Sequence, residues 1–188
     1  MFLSRGELLK MGLLNLGENV QISDKASIYR PTKISIGSNV RIDDFCILSP
    51  GEDGIELHSY IHISCYSALI GKGKITIEDY GIISSRVLVY SSNDNYGGEY
   101  LMGPMVDPLY TNVHVAPVTI KRYAAIGSSS IILPGVTLHE GAVVGAHSLV
   151  KKDVDGWCVF GGVPAKFLKK RSDKLLNHIG LLNEREKR

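Results

Sequence analysis

From Ile120 to Val150 the chain reads Ile120-Lys121-Arg122-Tyr123-Ala124-Ala125, Ile126-Gly127-Ser128-Ser129-Ser130-Ile131, Ile132-Leu133-Pro134-Gly135-Val136-Thr137, Leu138-His139-Glu140-Gly141-Ala142-Val143, Val144-Gly145-Ala146-His147-Ser148-Leu149, and Val150. An aliphatic residue returns every six positions. That period fits neither a helix, at roughly 3.6 residues per turn, nor the two-residue alternation of an ordinary strand. Two positions before each aliphatic stands a small or aliphatic residue: Val118, Ala124, Ser130, Val136, Ala142 and Ser148. Several of the aliphatics are followed by a small residue, as in Ile126-Gly127 and Val144-Gly145.

Upstream the same period comes in blocks of three: Ile36, Ile42, Leu48; Leu57, Ile63, Leu69; Ile77, Ile83, Val89. A weaker lead-in is Ile22, Ile28 and Ile34. Three hexads make a coil of about 18 residues with three short flat sides, and the slips between blocks are corner insertions. The pattern predicts an all-β, left-handed parallel β-helix of about five full coils from Ile36 to Val150, after a partial lead-in coil. Glycine, at 20 of 188 residues, is abundant, and corners that demand unusual backbone angles account for it in this reading.

Between Val89 and Ile120 the phase jumps by 31 residues, one hexad plus about 25 more. The extra residues form a loop extruded over 91–117, which holds Asn93-Asp94-Asn95-Tyr96, three prolines and three tyrosines. Long loops thrown out of a regular scaffold commonly carry function. Ser4-Arg5-Gly6-Glu7 reads as a capping box that opens an N-terminal helix within 1–18. Pro164 is expected to open a basic C-terminal helix and tail over 164–188, on either side of a β-helix spanning 20–162. The expectation is one domain over 1–188.

Lys and Arg number 21 and Asp and Glu 19, a net charge of +2, too balanced for non-specific nucleic-acid binding. Three cysteines with no Cys-x-x-Cys spacing suit a reduced, cytoplasmic setting. No apolar run is long enough for a membrane-spanning helix, so no membrane insertion is expected. No P-loop and no nucleophile elbow occurs, which leaves ATP chemistry and serine-hydrolase chemistry without support.

The run Ile126 to Thr137, its continuation Val144-Gly145-Ala146-His147-Ser148-Leu149-Val150-Lys151-Lys152-Asp153, and the closure Phe160-Gly161-Gly162-Val163-Pro164-Ala165-Lys166 resemble the hexapeptide-repeat acyltransferases, the galactoside, maltose and serine O-acetyltransferase group. The likeness covers roughly residues 20–171. It implies the left-handed β-helix, a homotrimer, and acetyl-CoA as acyl donor in grooves between subunits. Within the group, Ser84-Ser85-Arg86 through Tyr96 resembles a subgroup of bacterial surface-polysaccharide pathways that acetylates sugars or sugar nucleotides.

The resemblance places Ser128, Gly145, Ala146, Lys151, Lys152, Lys166 and Lys169 at coenzyme A contacts. Independently of it, a phosphate-rich ligand needs clustered cations. Where the group carries a histidine base in the loop, this chain has Asp94, flanked by Asn93, Asn95 and Tyr96 as candidate acceptor contacts. Asp94 could act as the base or hold the acceptor; Asn-Asp-Asn is also ordinary turn chemistry. His62, between inward Ile61 and Ile63, points outward and is the second candidate base. It would meet Asp94 only across subunits or after the loop rearranges. An amine on a nucleotide-linked sugar needs less base assistance than a hydroxyl; the missing histidine favours the amine and leaves the hydroxyl open.

Two rival readings follow from the fold. Gamma-class carbonic anhydrases hold zinc with three histidines, but His58, His62 and His114 lack that spacing, so no metal is expected. A non-catalytic scaffold would need neither the extruded loop nor the Pro164-Ala165-Lys166 closure.

Overall fold

The computed structural model describes residues 1–186, in which the hexads wind into a three-sided prism of short parallel strands. Face I stacks Asn15–Leu16, Ile34–Ile36, Ile55–Leu57, Ile75–Ile77, Val118–Ile120 and Thr137–Leu138. Face II stacks Gln21–Ile22, Arg41–Ile42, His62–Ile63, Ile82–Ile83, Ala125–Ile126, Val143–Val144 and Cys158–Gly161. Face III stacks Ser27–Ile28, Ile47–Pro50, Ala68–Gly71, Leu88–Tyr90, Ile131–Ile132 and Leu149–Val150. The periodic residues therefore stand above one another: Ile36, Leu57, Ile77, Ile120 and Leu138 on face I form one buried column. Each coil contributes an aliphatic to every column, and their burial is the main force holding coil to coil.

Six coils are complete, and a seventh begins on face I, where Val154 bridges Leu138, and continues on face II in Cys158–Gly161. The lead-in expected to be partial is a full three-sided coil, because Asn15–Leu16 supplies the side that precedes Ile22. Cutting out the loop leaves the stacking undisturbed: Ile75 pairs with Val118 and Leu88 with Ile131. The loop is itself tied at its base, where Ser92–Asn93 pairs antiparallel with His114–Val115.

The corners correct the expectation about glycine. Most left-handed corner residues are not glycine, and one corner carries Tyr60, Tyr80, Tyr123 and Trp157 at positive φ. An L-residue pays about 1–2 kcal/mol for that conformation. Here the rings stack in sequence, with centroids 4.6, 5.4 and 6.3 Å apart, and pairs of this kind return about 0.5–1.5 kcal/mol each. Where glycine is needed, the reason is often proximity. A Cβ on Gly127 would lie 2.5 Å from the Ala146 backbone nitrogen. The inward serines are satisfied in place: Ser67 Oγ donates to Ser84 O at 2.9 Å, and Ser130 Oγ to Gly145 O at 2.9 Å.

The N-terminal helix α1 spans only Arg5–Lys10, with the predicted capping box formed between Ser4 and Glu7. It ends before Gly12, whose φ of 72° lies in the left-handed region, and buried Leu8 joins the core at the prism's open end. The helix expected to start at Pro164 is not there. Lys166–Lys170 is a strand, antiparallel to Cys158–Gly161, and helix α2 is Leu175–Glu186. The last coil would otherwise leave an unpaired sheet edge, and a lysine-rich strand both pairs that edge and discourages further pairing. A helix could cover the edge but would leave its backbone hydrogen bonds unmade. Lys187 and Arg188, the end of the expected tail, lie outside the described residues.

Candidate active site

Immediately after each inward residue of face II the chain turns a corner, and from the second coil on the residues at that turn form a column of their own: Asp43, Ser64, Ser84, Gly127, Gly145 and Gly161. Their register follows from the strands they terminate. Their amides continue the ladder, with Ser64 N donating to Ile83 O at 2.9 Å and Ser84 N to Ile126 O at 3.0 Å. Neighbours in such a stack lie about 4.8 Å apart. The column changes character midway: carboxylate and hydroxyls above, three glycines below. The glycines leave this part of the corner without side chains, and the neighbouring coil closes on it: a Cβ on Gly127 would lie 2.5 Å from Ala146 N, and one on Gly161 3.0 Å from Leu168 Cδ1. The Ser84 hydroxyl, at the junction, has no partner among the described residues.

His62 lies on face II beside the polar end of this column. Its side chain is outward and half-buried, as alternation predicts. Its Nε2 is 2.8 Å from Asp43 Oδ2, while Arg41 Nε donates to Asp43 Oδ1 at 2.7 Å. The Arg41 guanidinium in turn lies 5.1 Å from the Phe2 ring centroid. Partial burial pushes the Asp43 carboxyl upward, but the bonds from Arg41 and His62 outweigh it and hold the group below its ordinary range.

Asp94 follows the strand pair at the base of the extruded loop, at the corner leading from face III to face I. It is half-buried, with a carboxylate that has no partner among the described residues. Asp94 and His62 therefore occupy different corners of one chain. Asn93 Nδ2 donates to the Asp94 carbonyl at 2.8 Å, and Asn95 Oδ1 accepts from Gly97 N at 2.7 Å. Both asparagines thus shape the turn that presents Asp94, and Tyr96 next to them is 77% exposed.

At the glycine end, Ser128 and Ala146 leave their amide N–H groups without partners among the described residues. Gly145 does not: its N–H goes to Phe160 O at 2.8 Å, and its carbonyl accepts from both Ser130 and Ser148 hydroxyls. It has no side chain, and an added Cβ would lie 3.5 Å from Phe160 O. Lys151, Lys152 and Lys166 line a cavity of about 320 Å³ with Val150, Phe160, Pro164 and Ala165. Lys169 belongs to the same hairpin, opposite Val159, but outside that lining.

His58 is 3.2 Å from Glu56, His62 is held by Asp43, and His114 pairs with Asn93 in the loop. Among the described residues no three His, Cys, Asp or Glu side chains group as metal ligands. Sequence reasoning missed Ser84, Ser64 and Asp43. The signal was present, since each directly follows an inward aliphatic residue, as Gly127 follows Ile126 and Gly145 follows Val144.

No family model matches the chain. It is 55% identical over 175 residues, 93% of this chain and 91% of the relative, to a dTDP-4-amino-4,6-dideoxy-D-glucose acyltransferase of Escherichia coli. It is 26% identical over 172 residues, 90% of this chain and 70% of the relative, to the galactoside O-acetyltransferase of Escherichia coli strain K12. Among solved structures, AntD, an N-acyltransferase from Bacillus cereus in complex with dTDP and 3-hydroxybutyryl-CoA, superposes with a TM-score of 0.96 at 44% identity, covering 100% of this chain and 98% of that one. Its S84C variant, in complex with dTDP-4-amino-4,6-dideoxyglucose and coenzyme A, gives a TM-score of 0.94 at 44% identity over 97% of both chains. A D94N variant of the same protein is also solved, with dTDP and coenzyme A, at a TM-score of 0.94 and 45% identity over 97% of this chain and 98% of that one.

Proposed function

The chain belongs to the hexapeptide-repeat acyltransferases that act on sugars, and from that premise we propose that it moves an acetyl group from acetyl-CoA to the amine of a nucleotide-linked amino sugar, in bacterial surface-polysaccharide biosynthesis. The observation that carries this reading is the column in which Ser84 separates a polar end, with Asp43 and His62, from a run of glycines ending at Gly161, next to Phe160 of the cavity lined by Lys151, Lys152 and Lys166.

Pantetheine lies along the glycine part of the column, with Ser128 and Ala146 amides offered to its amides, and Lys151, Lys152 and Lys166 meet the phosphates. That sets the thioester near Ser84. The acceptor arrives as an ammonium and gives one proton to Asp94. Its nitrogen lone pair then attacks the thioester carbonyl carbon, and the carbonyl π electrons move onto oxygen, where the Ser84 hydroxyl donates a hydrogen bond. As the intermediate collapses, the C–S bond breaks, the nitrogen loses its second proton to His62, and coenzyme A leaves as thiolate and is protonated. The products are an amide, a thiol and one net proton.

Because Asp94 and His62 sit at different corners, one subunit's loop must serve its neighbour's column, and we assign the active form as a homotrimer. The outward side of face III supports this. Beyond Ser27 on the first coil, the residues Ile47, Leu88, Ile131 and Leu149 stand in register as an apolar strip, with the buried Ala68 between Ile47 and Leu88, whereas the outward side of face I is Asn15, Ser35, Glu56, Thr76, Thr119 and Thr137. Contiguous apolar surface of that kind marks an interface. The loop adds exposed Leu101, Met102, Met105 and Leu109, positioned to cover a neighbour. Both reactants are charged and cannot cross a bilayer unaided, which assigns the reaction to the cytoplasm. Among the described residues no helix is long and apolar enough to cross a membrane.

The reading is tested by thiol release from acetyl-CoA, and from longer acyl-CoAs, with a panel of nucleotide-linked amino sugars and free sugars. Turnover is expected with a nucleotide-linked amino sugar, and a fall of about 10²–10⁴-fold in kcat for Asp94→Ala and His62→Ala, the usual worth of a positioned base. Turnover confined to hydroxyl acceptors would overturn the amine assignment. Undiminished rates in both variants would overturn both base assignments.

A further inference from the structure

Resting on the reading of His62 as a proton acceptor in this site, we infer that Asp43 is a positioning residue that sets which ring nitrogen of His62 does the accepting. The argument is one of hydrogen-bond direction. A carboxylate only accepts, so the 2.8 Å contact between Asp43 Oδ2 and His62 Nε2 requires a hydrogen on Nε2. In the neutral ring Nδ1 then carries the lone pair, and it has no partner among the described residues. Asp43 is oriented by its other oxygen, which accepts from Arg41 Nε at 2.7 Å, and the Arg41 guanidinium lies over the Phe2 ring. The chain's second residue thus reaches the reacting end of the column through three contacts. Asp43 also occupies that column, in register with Ser64 and, one coil further, Ser84. The proton taken from the acceptor nitrogen goes to Nδ1, and the imidazolium so formed is stabilised by the Asp43 carboxylate on the opposite nitrogen.

This differs from a merely structural ion pair in one measurable respect, the tautomer. In Asp43→Asn the Arg41 donor keeps the amide oxygen, so the amide NH₂ faces His62 and donates to Nε2. The hydrogen moves to Nδ1, the nitrogen that has to be bare. Nitrogen-15 spectra of histidine-labelled, full-length enzyme, assigned with His62→Ala, read this directly. Wild type is expected to show Nε2–H with a bare Nδ1, and Asp43→Asn the reverse. In the thiol-release assay Asp43→Asn should lower kcat by about 10²-fold, within the range for lost general-base help, while KM for acetyl-CoA changes less than about twofold. His62→Ala and the double variant should fall to the same level as each other. Circular dichroism and the thermal midpoint control for folding. A wild-type ring protonated on Nδ1, or an Asp43→Asn enzyme with wild-type kcat, would overturn the inference. If His62→Ala is fully active, the base assignment fails while the spectra still report whether Asp43 sets the tautomer, so the two claims fail separately.

Discussion

Lys166 and Lys169 look equivalent when Pro164 is taken to open a helix, three residues apart on one turn. On the strand Lys166–Lys170 they differ: Lys166 lines the cavity with Lys151 and Lys152, and Lys169 does not. Lys166→Glu is therefore expected to raise the Kd for coenzyme A about tenfold, the worth of one charge-assisted contact. Lys169→Glu should cost less than about threefold. Calorimetric titration with coenzyme A and with pantetheine checks this, because pantetheine, without phosphates, should bind both variants like wild type. Equal losses for the two ligands would refute a phosphate role. Ser84 shows the complementary limit of sequence reading. Its place in the hexad was visible, but its importance depends on Gly127 one coil below and Ser64 one coil above, residues distant in sequence.

At the level of elements, the hairpin Cys158–Gly161 to Lys166–Lys170 stacks on the prism through Val143–Val144 and is fastened further by the residue that follows it. Arg171 Nη1 donates to the carbonyls of Tyr123 at 2.7 Å and Gly141 at 2.9 Å, and the guanidinium lies 5.8 Å from the Trp157 ring centroid. Burial lowers its pKa without removing its charge. Arg171→Ala leaves those carbonyls unpaired and releases the end of the aromatic stack, a loss of about 2 kcal/mol. For a chain of this size that corresponds to a thermal midpoint lower by about 4–8 °C, readable by scanning calorimetry. Because the hairpin carries Lys166, KM for acetyl-CoA should rise as well. An unchanged midpoint would mean that edge pairing alone fastens the hairpin. A basic run beginning at a proline matched the start of a helix by local rules; the unpaired edge of the last coil, which no local rule sees, made it a strand.

At the scale of the whole molecule the three faces divide the work, and the division predicts how assembly and activity are linked. Leu88→Glu or Ile131→Glu puts a charge into the apolar strip of face III without touching the inward columns. Light scattering is expected to report a single-chain mass in place of three. Circular dichroism should keep its β signature, and thiol release should vanish because Asp94 and His62 no longer meet. A fully active monomer would overturn the shared site.

The hexad period by itself determined the prism, its inward columns and the place where the loop leaves, because the aliphatic of each hexad and the small or aliphatic residue two before it must be buried whatever lies around them. The loop residues Asn93, Asp94, Asn95 and Tyr96 were legible for the same reason: they interrupt a strict period. The site as a whole was not legible, because it is a column running across the coils. Its members, from Asp43 to Gly161, are separated by roughly one coil or more of chain and become neighbours only through stacking. The bond between Asp43 and His62, the corner rings that replace glycine, and the strand that closes the last coil were likewise decided by tertiary structure. Each depends on contacts between coils, and a linear period fixes the spacing of such contacts without saying which side chains will make them.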